Sequence, residues 1–153
     1  MGEWDLRFLR LAREISLWSK DPSTQVGAAL IEGKNRILST GYNGFPVPIP
    51  DHPEDLEDRR IKYTKMIHAE ENALLFRAAR IDLLLPLTLY TWPIPPCSHC
   101  AILGLQCGVT RFISVIPDEE RLRRWGHNLE LAQTIIREAG MEIELLHPED
   151  LGE

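Results

Sequence analysis

Residues 26–40 read Val-Gly-Ala-Ala-Leu-Ile-Glu-Gly-Lys-Asn-Arg-Ile-Leu-Ser-Thr, and this stretch decides the fold class. Val26–Ile31 is an apolar run of strand length, Glu32-Gly33-Lys34-Asn35 is turn chemistry, and Arg36–Thr40 is a second strand, so the segment predicts a β-hairpin. Upstream, Trp4, Phe8, Leu11, Ala12, Ile15 and Trp18 fall at helical spacing and predict an amphipathic first helix over 4–18. Pro22 ends it, with Asp21 and Ser23 supplying turn chemistry. Downstream, residues 44–60 hold four of the eleven prolines and many charges, which predicts a long loop of the kind that serves as a lid or binding loop. Tyr63–Arg80 then reads as a helix with Ala69, Ala73, Leu74, Phe76 and Ala78 around a buried stripe. Leu87–Trp92 is a strand, and Cys97–Gln106 is a short helix opened by Pro95-Pro96. Arg111–Ile116 is a strand, Glu119–Ala139 a helix interrupted at Gly126, Gly140 its stop, and Met141–Leu146 the last strand. A hairpin followed by strand–helix alternation implies a largely parallel sheet sandwiched by helices.

Composition sets the frame. The chain has 153 residues, which suggests one compact domain spanning 1–153, with 44% apolar and 26% charged residues. A chain of this size buries roughly 70% of its unfolded surface, enough for a core. Seventeen Lys and Arg against 23 Asp and Glu leave a net charge of −6. That surface repels a polyanion, so a nucleic-acid polymer is not an expected partner, whereas one or two placed cations suffice for a small anion. No uncharged apolar run approaches the roughly 20 residues of a membrane span. MGEWDLRFLR lacks a signal-peptide core, and Leu6 occupies the place where myristoylation wants Ser or Thr. Three cysteines, two of them three apart, suit metal better than a disulfide framework. The expectation is a cytoplasmic protein with no membrane partner.

Two short segments carry chemistry: His68-Ala69-Glu70 and Pro96-Cys97-Ser98-His99-Cys100. Taken singly, a Cys-x-x-Cys pair is a redox pair or half of a structural zinc site, and a helical His is commonly structural. Together they match the zinc-deaminase signature H-x-E followed by P-C-x-x-C. His68, Cys97 and Cys100 provide three ligands for one tetrahedral Zn2+, leaving the fourth position for water, as in catalytic sites. Zinc lowers that water's pKa from 15.7 to about 7, and Glu70, two residues past a ligand, is placed to move its protons. A closed structural site would need His99 or Cys107 as fourth ligand. His99 lies between the two cysteines and should point away, and Cys107 is nearly two turns beyond Cys100. A thioredoxin-like pair gives His68 and Glu70 no role.

With these motifs the chain resembles the deoxycytidylate (dCMP) deaminase family of the cytidine deaminase-like superfamily. Further segments carry the likeness: residues 19–28, Ser-Lys-Asp-Pro-Ser-Thr-Gln-Val-Gly-Ala; residues 41–46, Gly-Tyr-Asn-Gly-Phe-Pro; His68-Ala69-Glu70-Glu71-Asn72-Ala73; and Leu87-Thr88-Leu89-Tyr90. It runs from about Trp4 to Ile143. The resemblance implies an α/β fold, a three-layer α/β/α sandwich with a mixed five-stranded sheet. It also implies hydrolytic deamination of dCMP to dUMP and ammonia, with attack at C4 and Glu70 shuttling protons. Asn43 would contact base or sugar, although Tyr-Asn-Gly is equally good turn chemistry. Val26, Gly27 and Ala28 would line the pocket floor with backbone groups, or simply start a strand. Ser23, Thr24 and Lys20 would contact phosphate, or form a surface turn. Arg59, Arg60, Lys62 and Lys65 form a basic cluster suited to a mononucleotide phosphate or to a solvated face. Tyr63 and Trp92 would stack on a base or belong to the core.

Some family members carry a second zinc with ligands from the region of 44–66. Only His52 stands there, so one ion per chain is expected. The stretch Tyr90-Thr91-Trp92-Pro93-Ile94-Pro95 departs from the family segment and puts substrate preference in question. The resemblance implies a homo-oligomer, often a hexamer, and in some members activation by dCTP and inhibition by dTTP. The competing readings are a deaminase of another base (a nucleoside, a modified cytidylate or a purine) and a catalytically silent zinc-binding scaffold.

Overall fold

A computed structural model describes residues 2–77 and 85–152. Five strands form one mixed sheet: β1 (Gly27–Glu32), β2 (Arg36–Tyr42), β3 (Leu87–Trp92), β4 (Val109–Val115) and β5 (Glu142–Leu146), in the order β2-β1-β3-β4-β5. β1 pairs antiparallel with both β2 and β3, while β3–β4 and β4–β5 are parallel. The expected hairpin is β1–β2, and the strand–helix alternation supplies the parallel half.

All six residues of β1 are buried, because the strand is covered on both faces and its alternate side chains feed two cores. Ala28 and Leu30 join Leu89, Phe112, Ala69, Ala73, Ala132 and Ile136 on one side. Ala29 and Ile31 join Phe8, Leu9, Tyr90, Ile113 and Val115 on the other. Helix α1 (Glu3–Ser16) covers the second face. Helices α4 (Ala69–Leu75), α5 (Ser98–Gln106) and α6 (Glu119–Glu138) cover the first, giving the three-layer α/β/α sandwich. Between β2 and α4 lie two short helices, α2 (Pro53–Glu57) and α3 (Arg59–Lys65). A 3-10 turn, Pro148–Leu151, follows β5.

The structure departs from the sequence reading in local detail. Tyr63–Arg80 is not one helix. α3 ends at Lys65, Ile67 pairs with Gly44 in an isolated bridge, and α4 starts after His68. Positions 78–80 of that expected helix lie outside the described residues. Phe76, placed on its buried stripe, is exposed. The loop expected at 44–60 contains α2, begun at Pro53. Gly126 does not interrupt α6, which runs unbroken for 20 residues, since a lone helical Gly costs only about 1 kcal/mol against Ala. α1 stops at Ser16, leaving Trp18 exposed against Tyr42.

Two glycines set the layer spacing. A Cβ on Gly27 would sit 2.0 Å from the Ala12 carbonyl oxygen of α1, and one on Gly41 would sit 2.3 Å from the Ala69 carbonyl oxygen of α4. The β1–β2 edge is thus pressed against a helix on each face, and on one of them it is the helix that begins beside His68.

Candidate active site

His68 and Cys97 occupy equivalent places. Each is the extended residue just before a helix, His68 before α4 and Cys97 before α5. The bridge between Gly44 and Ile67, with N–H···O distances of 3.1 and 2.9 Å, fixes the chain one residue ahead of His68. The backbone N–H of His68 donates to Glu71 Oε1 at 3.1 Å, capping α4. Cys97 is fixed from the other side: Ser98 N–H donates to Asn128 Oδ1, and Asn128 Nδ2 donates to Ser98 Oγ, both at 2.9 Å. Cys100, one turn into α5, faces the same way as Cys97.

His68 Nδ1 lies 3.6 Å from Cys97 Sγ and 3.3 Å from Cys100 Sγ, and the three donor atoms all lie within 4.8 Å of one another. A tetrahedral zinc with bonds of about 2.3 Å to sulfur and 2.0–2.1 Å to nitrogen separates those two atoms by about 3.5 Å. The donor set therefore fits a zinc ion in chemistry and in spacing. Neither His99 nor Cys107 joins the cluster, and no fourth protein ligand closes the site among the described residues. Among the protein groups themselves, hydrogen bonding to Cys100 and His68 pulls the Cys97 thiol down to about 4. The same contact to Cys97 lifts His68 to about 9.

Glu70 is 4% exposed, in the first turn of α4. Burial raises its pKa to about 7, against the opposing pull of His68, the range in which a carboxyl can both take and give a proton near neutrality. It lines a cavity of about 280 Å³ together with His68 and Cys97.

The structure brings Val26, Asn43, Ser23, Thr24 and Tyr63 to this cavity. Their chemistry differs from the sequence reading. Asn43 is buried, and its amide is spent on the protein: Oδ1 accepts from Val26 N–H at 2.8 Å, and Nδ2 donates to the Thr24 carbonyl at 2.9 Å. Asn43 N–H in turn donates to the Val26 carbonyl at 3.2 Å. Both backbone groups of Val26 are thereby occupied, so Val26 offers the cavity its side chain. Gly27 and Ala28 do not line it. Gly27 is committed to close packing on α1, and Ala28 belongs to the core. Lys20 and Arg59 are also absent from the lining. The Lys20 side chain points into solvent, with Nζ 2.9 Å from Asp51, and Arg59 is exposed at the start of α3. Of the basic cluster only Lys62 reaches the cavity, where it is buried and ion-paired to Asp21 at 3.1 Å.

Sequence reasoning missed Arg124 and Trp125, which α6 contributes to the lining. Nothing local marks them, because they come from a helix some 55 residues after His68, brought near only by packing against α5. Asp21 was read as a turn residue. It is one, accepting from Ser23 N–H at 2.8 Å, and it is also the cavity's counter-ion to Lys62.

A five-stranded α/β/α sandwich with a His/Cys/Cys zinc site beside a buried glutamate defines a zinc-binding deaminase fold. The family model described as cytidine and deoxycytidylate deaminase zinc-binding region matches residues 2–116, and the chain belongs to that family. It is 39% identical to an uncharacterized deaminase in the luxG 3' region of Aliivibrio fischeri, over 94% of this chain and 93% of that one. It is 41% identical to a probable deoxycytidylate deaminase of Caenorhabditis elegans and 33% identical to the human deoxycytidylate deaminase. Those matches cover 69% and 72% of this chain, and the chain spans only 53% and 64% of those relatives. The dCMP deaminase of cyanophage S-TIM5, solved in complex with dCMP and dUMP, superposes with a TM-score of 0.72 at 22% identity, covering 95% of this chain and 98% of that one. The likeness to the solved structure is one of fold.

Proposed function

We propose that this protein is a zinc-dependent hydrolase that converts dCMP and water to dUMP and ammonia. The observation that carries the reading is the three-donor cluster with a buried glutamate beside it, both opening on one cavity. His68, Cys97 and Cys100 hold the ion, which when bound supplies a Lewis acid that makes water nucleophilic at neutral pH. Glu70 accepts a proton from the water that attacks C4 and delivers it to the ring nitrogen, then takes the remaining proton from the new C4 hydroxyl and passes it to the departing amine. The carbon–nitrogen bond to the exocyclic amine breaks and a carbonyl forms at C4, so no oxidant or reductant is needed. Val26 and Asn43 shape the wall against the pyrimidine, with Asn43 braced by Thr24 and Asp21 so that its orientation is fixed before substrate arrives. Ser23, Thr24 and Tyr63 line the remainder.

In this reading residues 1–153 act as one deaminase domain in the cytoplasm, in pyrimidine nucleotide supply, assembled as a homo-oligomer. The relatives named as deoxycytidylate deaminases support the substrate. Among the described residues no helix is long and apolar enough to cross a membrane.

The test is ammonia release from dCMP and from deoxycytidine, side by side, on zinc-loaded protein. Strong turnover of dCMP with little of deoxycytidine is the expected outcome. Activity on neither overturns the reading.

A further inference from the structure

We infer that Arg124, on α6 and beyond the family-matched segment 2–116, is the residue that recognises the substrate's phosphate; this rests on the nucleotide reading above. The argument begins with charge. Besides His68, the cavity lining contains two cations, Lys62 and Arg124. Lys62 is already used: Nζ lies 3.1 Å from Asp21 Oδ1 and 2.7 Å from Ser23 Oγ, and its side chain is 5% exposed. Its charge is offset and its geometry committed. The other cations near the 44–66 segment stay outside the lining: Lys20 is paired to Asp51 at 2.9 Å, Lys65 is paired to Asp55 at 2.8 Å, and Arg59 and Arg60 are exposed at the start of α3. Arg124 has no carboxylate partner among the described residues. Its Nη2 donates to the Tyr63 hydroxyl at 3.2 Å, and its guanidinium lies 4.2 Å from the Trp125 ring centroid.

Position agrees with charge. The lining grades from Glu70, 4% exposed, to Tyr63, 57% exposed. The reacting base must reach the buried end beside Glu70, and a phosphate dianion is cheapest to leave at the part-solvated rim. The rim is where Tyr63 and Arg124 meet. A guanidinium offers a planar fork of donors matched to phosphate oxygens. The Tyr63 hydroxyl, accepting from Arg124, keeps its own proton to donate to the same phosphate. The Trp125 face beside the guanidinium steadies it without neutralising it. Arg124 would thus separate nucleotide from nucleoside, a task the sequence reading gave to Ser23, Thr24, Lys20 and the basic cluster of Arg59, Arg60, Lys62 and Lys65.

The test uses zinc-loaded wild-type protein and the variants Arg124→Ala and Arg124→Lys. It combines steady-state kinetics on dCMP and deoxycytidine with calorimetric titration of dUMP and deoxyuridine. Arg124→Ala should raise the KM for dCMP about 10- to 100-fold, the range expected for losing a charged hydrogen bond. The kcat should move far less, and dUMP binding should weaken by a similar factor while deoxyuridine binding stays put. Arg124→Lys should recover part of the loss. Equal dUMP binding by wild type and Arg124→Ala overturns the assignment, as does a loss of equal size for dCMP and deoxycytidine. Wild-type protein that does not turn over dCMP overturns the functional reading instead, and the dUMP titration still decides Arg124.

Discussion

At the scale of single residues, Glu70 and Asp5 show how burial serves two ends. Glu70 is buried with no ion pair among the described residues, and the proposed role needs its carboxyl to cycle a proton. Glu70→Gln keeps the shape and removes that capacity, so turnover should fall by about 10²- to 10⁴-fold while zinc content, measured by atomic absorption, stays at one ion per chain. A silent zinc scaffold would lose nothing in the same variant. Asp5 is buried for stability. It accepts from Arg111 at 2.8 and 3.0 Å, from the Tyr90 hydroxyl at 2.6 Å and from Gly2 N–H at 2.9 Å. Burial alone would raise its pKa, but these donors hold it down from 3.8 to about 2. A folded pKa below the unfolded one stabilises fully above about pH 4, and the contribution is lost as pH falls toward 2. Asp5→Asn should cost about 2 kcal/mol at pH 7 by urea denaturation, with the gap to wild type closing between pH 4 and 2. His68, Glu70, Cys97 and Cys100 were legible in the sequence because metal chemistry restricts residue type and local spacing. Arg124 was not, because its function depends on which helix packs beside α5.

At the scale of elements, the site depends on how closely α4 can approach the sheet. Gly41 permits that approach: a Cβ there would lie 2.3 Å from the Ala69 carbonyl oxygen and 2.5 Å from the Ala73 nitrogen, which are backbone atoms that cannot rotate away. Gly41→Ala should push α4 outward, costing about 2–3 kcal/mol and weakening zinc binding at least tenfold in chelator competition, since His68 and Glu70 travel with α4. Gly44→Ala, where no atom lies within 4 Å of the added Cβ, should leave zinc affinity unchanged. On α6, Gly126→Ala meets only Leu122 Cβ at 4.0 Å and should stabilise the protein by about 0.5–1 kcal/mol, read as a raised thermal midpoint. The break expected at Gly126 failed because propensity is a weak prior once packing intervenes. Buried Leu129, Ala132 and Ile136 hold the helix through that point. The reverse occurred at 63–80, where helical periodicity spans a real break. The backbone turns extended at Met66 and His68 to pair with Gly44, a long-range contact that no local pattern announces.

At the scale of the whole molecule, the zinc site ties three elements together, since His68 precedes α4 and both cysteines belong to the start of α5, itself pinned to α6 through Asn128. An ion that binds only the folded chain stabilises it by mass action, about 4 kcal/mol when free zinc stands a thousandfold above its dissociation constant. Stripping the metal should therefore lower the thermal midpoint by about 10 °C and abolish ammonia release, with both restored by stoichiometric zinc. Survival of activity in the stripped protein would exclude a metal-dependent reaction. The sequence by itself determined the β1–β2 hairpin, the strand–helix alternation behind it, the donor set and the glutamate, because these rest on local spacing, turn chemistry and ligand type. The tertiary structure alone decided that Val26 and Asn43 satisfy one another, that Lys62 is neutralised by Asp21, and that Arg124 reaches the cavity rim. The reason is physical: pairing of polar groups and burial of charge depend on three-dimensional neighbours, and those neighbours lie 17, 41 and 61 residues apart along the chain.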